Sequence, residues 1–495
     1  MSDHPRKVLL LILDGAGYHP DADGNAVTAQ HLPRLFERMG ADNFAVLEAA
    51  QEAVGLEAGQ VGNSEAGHLT IGAGHVVSSM CRHICETYED GRWAADPFWD
   101  RPALAGADSC LHIVGLLSDA GVHALDRSMH QAVKIASAKG IAEVIVHPVL
   151  DGVDSLAGSA PRILADLHEQ IDGLPGVRLG VIVGRKWFCD RSGDLSVSQQ
   201  VIDAFRGAEA LPAYSDEALA AHLRSSGEMD FPAHCVEGGR SIRDGETVLL
   251  TSHRADRARQ VATVLGQTQP VAMLVDPGET VQVDHIFFPQ KPLDRGLAHV
   301  LKDAGLSTVR IAEKCKFPHV TFFLNGFDAG LEGEGICIPS IPEAEICEKP
   351  EMSLEGICDE VVKALRDPAR RVVIGNLANL DQVGHLGNYE LATRAAQVVD
   401  EAYARLAAEA AANGWTLLLT ADHGNADRLT GADGSPFGSH TDRPVPFVAV
   451  AAPGLEGEWL AREGSLSNVA ATVLAALDVP KPEWMDPPLM AFHER

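Results

Sequence analysis

The sequence predicts an α/β fold of two to four domains. Continuous apolar runs of strand length recur through the chain, and Ala-rich segments with helical spacing separate many of them. Runs without polar alternation suit strands buried on both faces, as in parallel sheets, and strands alternating with helices suit layered α/β architecture. At 495 residues the chain exceeds what one hydrophobic core usually organises.

The first run, residues 8–13, leads directly into Asp14-Gly15. Further strands are predicted at 111–117, 144–148, 179–183, 248–251, 271–275, 372–374, 415–420 and 445–450, and helices at 128–139 and 388–413. Residues 72–77, rich in Gly and Ala, and 287–294, with two prolines, read as crossings between domains. Residues 207–239 are polar and uneven, and read as surface with one short helix.

Composition narrows the function. Hydrophobic residues at 46% and charged residues at 22% are ordinary for a soluble globular protein. The net charge of −29 repels phosphate backbones, so nucleic acid is not the expected partner. A small anionic substrate then needs local cations or metal ions. No apolar stretch reaches the length of a membrane span, and Asp14 interrupts the 8–13 run too early for a signal peptide. Nine scattered cysteines read as reduced thiols of a cytoplasmic protein.

Several predicted strands end in groups that carry chemistry, where open α/β sheets place their sites. Asp14 follows the first strand, and Asp422-His423 follows residues 416–420. Asp381 and His385, at i and i+4, share one helical face. His440 precedes another strand. Singly, these read equally as turn formers, surface pairs or a loop histidine. Together, three carboxylates and three imidazoles form a mixed N/O donor set that suits Mn²⁺ or Zn²⁺. Ser64 opens a predicted helix after Gly62-Asn63. It reads as a cap or as a nucleophile whose anion the helix terminus favours. Two adjacent metal ions are the usual device for phosphoryl transfer. Arg185, Arg191, Arg254 and Arg257 form a cationic group, with Arg254 and Arg257 on one face of a helical turn. Guanidinium groups suit capture of carboxylate or phosphate, although a solvated basic face reads equally well. His123 and Asp154 follow strands of the same region.

These motifs, in this order, resemble the cofactor-independent phosphoglycerate mutases of the alkaline-phosphatase-like superfamily. The resemblance runs from Leu9 to Phe447. It rests on Leu13-Asp-Gly15, Gly59-Gln-Val-Gly-Asn-Ser-Glu-Ala-Gly-His68, Leu117-Ser-Asp-Ala-Gly-Val-His123 and Arg254-Ala-Asp-Arg257. It continues through Ala312-Glu-Lys-Cys-Lys-Phe-Pro-His319, Lys349-Pro-Glu-Met-Ser353, Asn379-Leu-Asp-Gln-Val-Gly-His385, Thr420-Ala-Asp-His-Gly-Asn425 and His440. The resemblance implies a phosphatase-like metal-binding domain, residues 1–76 and 293–495, split by an inserted substrate-binding domain, residues 77–292. It implies two divalent ions, Mn²⁺ first. Asp381, His385 and His440 would hold one, and Asp14, Ser64, Asp422 and His423 the other. Ser64 would carry the phosphoryl group between 3- and 2-phosphoglycerate, and His123, Asp154, Arg185, Arg191, Arg254, Arg257 and Lys316 would contact substrate. The implied partner is a small phosphorylated acid, and the implied state a monomer.

The substrate-facing parts depart from the family. Val153 stands where the family usually has Arg, in Asp151-Gly-Val-Asp-Ser155. Lys186, after Arg185, could restore the charge. Ser252-His253-Arg254 replaces the usual Asn-Phe-Arg, and Cys315 replaces an acidic residue. These departures leave open a mutase, phosphotransferase or phosphatase for another phosphorylated or phosphonylated carboxylic acid, and a non-catalytic protein that kept the fold.

Overall fold

Strand Val8–Leu13 is buried along its whole length. In this computed structural model, which describes residues 6–40, 44–190, 194–278, 280–331, 333–431 and 434–495, it lies inside a sheet of eight strands. The sheet runs Glu334–Ile338, Thr308–Glu313, Val372–Leu377, Val8–Leu13, Thr416–Thr420, Val445–Val450, Phe44–Glu48 and Glu463–Ser465. The first five are mutually parallel, and Val445–Val450 is antiparallel to both neighbours. Strands buried on both faces can be apolar without alternation, which is why the 8–13 and 416–420 runs stand out in the sequence. Thr308–Glu313 does not stand out, because buried Arg310 and Glu313 interrupt its apolar pattern.

The chain divides into two compact units, Met1–Ser79 with Lys291–Arg495, and Met80–Gln290. The breaks fall at 79/80 and 290/291, against 76/77 and 292/293 in the sequence reading. In the second unit the sheet runs His285–Phe288, Val271–Val275, Thr247–Leu250, Cys110–Leu117, Glu143–Leu150, Val181–Gly184 and His234–Cys235, with Val177–Leu179 also on Glu143–Leu150. All pairs are parallel except Val181–Gly184 with His234–Cys235. Phe287 and Phe288, read from sequence as part of a crossing, belong to a strand, and they pack against Trp93. The predicted 179–183 strand is interrupted at Gly180, where a Cβ would lie 2.5 Å from the His147 ring.

Three helices position the first unit's polar groups. Ser64–Ala73 is capped by Asn63, whose side chain accepts the Ala66 N–H at 2.9 Å. Ser64 is therefore not the cap, and its hydroxyl is available elsewhere. Helix Asn379–Gly384 carries Asp381 and ends at His385. Helix Tyr389–Ala412 matches the predicted 388–413 and has Asn388 and Asn413 as its two caps. Among the described residues, no helix is long and apolar enough to cross a membrane.

Candidate metal centre

The register of the first sheet assembles the centre at the carboxyl ends of its parallel strands. Ile12 faces Thr420, so Asp14 and Asp422, each two residues further on, leave the sheet side by side. Lys316 follows strand Thr308–Glu313, and Ser64 arrives at the N-terminus of its helix. A bridge between Gly424 and Thr441 brings His440 to His423, their rings stacked with centroids 3.9 Å apart.

The three imidazoles share one orientation. His423 Nδ1 donates to Gly424 O at 3.2 Å, His440 Nδ1 to Gly62 O at 2.8 Å, and His385 Nδ1 to Gly438 O at 2.9 Å. A carbonyl only accepts, so each Nδ1 carries a proton and each Nε2 faces inward. Such backbone anchoring is how metal-ligating histidines are held. Nε2 of His385 and Nε2 of His440 lie 3.2 Å apart and 3.3 and 3.2 Å from Asp381 Oδ1. His423 Nε2 lies 3.5 Å from Asp422 Oδ2 and 3.6 Å from Asp14 Oδ1.

Ser64 Oγ is 2.9 Å from His423 Nε2, 3.4 Å from Asp14 Oδ1 and 2.7 Å from Lys316 Nζ. The Lys316 ammonium also reaches Asp14 Oδ1 at 2.6 Å and Asp381 Oδ2 at 2.8 Å. Burial pushes the Asp14 carboxyl up to about 7, the Asp422 charge adds to this, and Lys316 opposes it. Burial would also raise Asp381, but Lys316, His385 and His440 outweigh it and hold Asp381 well below the usual carboxylate range. Burial lowers His423 to about 4, which keeps it neutral, as a ligand must be.

Asp422 supplies a further sign of fit. Its Oδ1 accepts Gly15 N–H at 3.2 Å and His423 N–H at 3.1 Å. Its Oδ2 is buried with no aligned donor among the described residues; His68 Nδ1 is 3.2 Å away but directs its proton to Ser64 O at 2.9 Å. A buried carboxylate oxygen without a donor is costly unless a cation takes it. The inward Nε2 atoms, the neutral His423 ring and this oxygen together fit divalent cations.

The second unit gathers a separate polar group at its own strand ends. Ser118, Asp151 and Arg185 each follow one of three adjacent parallel strands. Arg185 bonds Asp151, and it bonds Asp154 at 3.0 Å. His123 Nδ1 donates to Asp154 at 2.6 Å, and Arg257 Nε to His123 Nε2 at 3.1 Å. Burial would raise Asp154, but His123 and Arg185 hold it below the usual range. Arg254 is the N-cap of the short turn Ala255–Arg257. Arg191 lies outside the described residues. Val153 is 57% exposed. The half-exposed Lys186 ammonium lies 2.7 Å from Asp230 and over the Trp187 ring.

A third cluster, Cys110, His112 and Glu246, has metal-like spacing in the second unit but different chemistry. Val181 N–H donates to His147 Nδ1 at 3.0 Å, so His147 Nε2 donates to His112 Nδ1 at 2.9 Å. The His112 proton is thereby placed on Nε2, pointing at Glu246 Oε2 at 2.9 Å, and Arg240 takes both Glu246 oxygens. No His112 lone pair is left for a metal.

Sequence reasoning missed His68 and Asn376, both fully buried beside the centre. The available signals were His68 four residues after Ser64 on one helix, and a polar Asn inside an otherwise apolar buried strand.

Comparison with known proteins agrees with this donor chemistry. Residues 6–481 match a model described as the metalloenzyme superfamily. The chain is 34% identical over 501 residues to the 2,3-bisphosphoglycerate-independent phosphoglycerate mutase of Laribacter hongkongensis, covering 97% of each. It is 34% identical over 525 residues to 2,3-bisphosphoglycerate-independent phosphoglycerate mutase 2 of Methanosarcina acetivorans, covering 100% of this chain and 99% of that one. A crystal structure of Leishmania mexicana phosphoglycerate mutase at low cobalt concentration superposes with a TM-score of 0.77 at 26% identity, covering 100% of this chain and 99% of that one. The chain therefore belongs to the metalloenzyme superfamily and, within it, to the family of 2,3-bisphosphoglycerate-independent phosphoglycerate mutases.

Proposed function

We propose that the protein interconverts 3-phosphoglycerate and 2-phosphoglycerate by phosphoryl transfer through Ser64. The observation that carries this is the surroundings of the Ser64 hydroxyl: Lys316, His423 and Asp14 all lie within 3.4 Å of it. Full-length relatives named as phosphoglycerate mutases support the substrate. Asp381, His385 and His440 would hold one divalent ion, and Asp14, Ser64, Asp422 and His423 a second. Mn²⁺ is our assignment from the N/O donor set. The ions, when bound, lower the pKa of the Ser64 hydroxyl and offset the charge of the transferring group.

The chain's own residues do the rest. Ser64 Oγ loses its proton and forms a bond to phosphorus as the ester P–O bond of the substrate breaks, and the freed glycerate oxygen gains a proton. The glycerate stays bound and takes the phosphoryl group back on its other hydroxyl oxygen. The Lys316 ammonium, 2.7 Å from Ser64 Oγ, offsets charge that develops there. His123, Asp154, Arg185, Arg191, Arg254 and Arg257 are the proposed substrate contacts of the second unit. That unit is read as the inserted substrate-binding domain, and the first as the split phosphatase-like domain. We place the protein in the cytoplasm, as a monomer without nucleic-acid or membrane partners. Its nine cysteines are free thiols, which supports a reducing compartment.

The test is ³¹P NMR of purified protein with Mn²⁺ and 3-phosphoglycerate. Growth of a 2-phosphoglycerate signal without free phosphate is the expected result, and an unchanged spectrum overturns the substrate. A second reading, another phosphorylated or phosphonylated carboxylic acid, is favoured by one observation. Val153 presents an apolar surface where the family usually has Arg.

A further inference from the structure

We propose that His68 and Asn376 are positioning residues for one metal site alone, the one built on Asp14, Ser64, Asp422 and His423. The inference rests on the two-ion reading above.

Asn376 fixes the chemistry of the pair. Its Nδ2 lies 2.7 Å from Asp14 Oδ2 and 3.1 Å from His68 Nε2. The Nδ2 end of the amide is the NH₂ group and faces both neighbours, with one hydrogen for each. His68 Nε2 is thus the acceptor, and its ring proton sits on Nδ1. That proton faces Ser64 O at 2.9 Å and has Asp422 Oδ2 beside it at 3.2 Å. Asp14, His68 and Asp422 have the spacing of a metal site. His68 is nevertheless no ligand, because Asn376 occupies its lone pair.

The pair therefore orients other residues. One chain of contacts runs from Asp14 through Asn376 and His68 to the backbone of Ser64 and the carboxylate of Asp422. It ties two strand ends, the strand carrying Asn376 and the helix carrying Ser64. Among the described residues, no hydrogen bond of His68 or Asn376 reaches Asp381, His385 or His440. Asn376 Oδ1 is buried without a protein partner among the described residues. That atom therefore adds nothing to stability, and the amide acts through its NH₂ group. What Asn376 supplies is direction, holding Asp14 and the His68 tautomer. Groups of this kind around a metal site typically change its affinity by ten- to a hundredfold when removed.

The experiment is Mn²⁺ binding by calorimetry and electron paramagnetic resonance on the full chain. Thermal unfolding of the chelator-treated protein is measured alongside. Wild type is expected to bind two ions. His68→Leu and Asn376→Leu are expected to lose about ten- to a hundredfold in affinity at one site and keep the other. His68→Asn, whose amide N–H reaches toward the Nδ1 position, is expected to recover part of the loss. Combining His68→Leu with His440→Ala is expected to leave no tight site. If the leucine variants do not fold, His68→Ala and Asn376→Ser carry the same comparison, and His68→Asn is read only as the rescue. Folded variants with both affinities unchanged, or both lowered alike, overturn the proposal beside a wild type that binds two ions. A wild type that binds only one ion overturns the two-ion reading, and this proposal with it.

Discussion

Nε2 of His423 lies 2.9 Å from Oγ of Ser64, across 359 positions of sequence. The approach is possible because Asn63 takes over the capping of the helix that Ser64 opens. Ser64→Ala removes the proposed nucleophile and no capping bond. Turnover is expected to fall to background, with no phosphoryl adduct by intact mass and an unfolding temperature within a few degrees of wild type. Undiminished turnover would remove Ser64 from the mechanism.

Gly67 sets how closely that helix meets the strand end. A Cβ at this position would lie 2.3 Å from the Asp422 carbonyl oxygen, a backbone atom that cannot swing aside. Gly67→Ala is expected to cost about 1–3 kcal/mol, the usual range for overpacking, and to lower kcat by shifting Ser64 from Asp422. Denaturant titration and steady-state kinetics read the two effects, and an unchanged midpoint would show that the helix has room.

Divalent ions should also stabilise the fold. Asp14, Asp381 and Asp422 are buried together, with the Lys316 ammonium reaching Asp14 and Asp381. An ion that binds only the folded chain adds roughly 2.7 kcal/mol at a hundredfold excess over Kd. The unfolding temperature is expected to rise with Mn²⁺ concentration and to fall on chelation, with a smaller response in His440→Ala. A Tm indifferent to Mn²⁺ would argue against a metal centre here.

Val153 is the position where the second unit lacks a cation. Its exposure means that Val153→Arg displaces no core packing. A hydrogen bond to a charged group is worth about 1.5–3 kcal/mol, so kcat/KM for 3-phosphoglycerate is expected to rise roughly tenfold or more. No change would show that this position does not meet the substrate, and a fall would favour a different acid.

Glu246 gives a pH dependence away from the metal centre. Burial would raise its carboxyl, but His112, Arg240 and the Arg243 N–H outweigh this and hold it well below its ordinary value of 4.5. A carboxylate depressed in the folded state stabilises above the unfolded value and loses that contribution as pH falls through the folded one. Glu246→Gln is therefore expected to be less stable than wild type at pH 7, with the gap closing as pH falls below 4.5. A constant gap would mean that packing, not charge, sets the difference.

Much of the fold was legible because burial on both faces leaves a local mark. Residues 8–13 and 416–420 are apolar runs that end in Asp14 and in Asp422-His423. The caps of the long helix, Asn388 and Asn413, are also local. Phe287 and Phe288 read in sequence as a crossing because neighbouring prolines look like a linker, whereas their strand is made by pairing with Val271–Val275.

The sequence by itself determined the chemical inventory: three carboxylates, three imidazoles and a serine at strand and helix ends, and the i,i+4 spacing of Asp381 and His385. Only the tertiary structure decided what each group can do. The carbonyls that set the protons of His385 and His440 belong to Gly438 and Gly62, and the amide that sets His68 belongs to Asn376. Tautomer and orientation follow from hydrogen-bond partners, and here those partners are brought together by sheet register and helix packing.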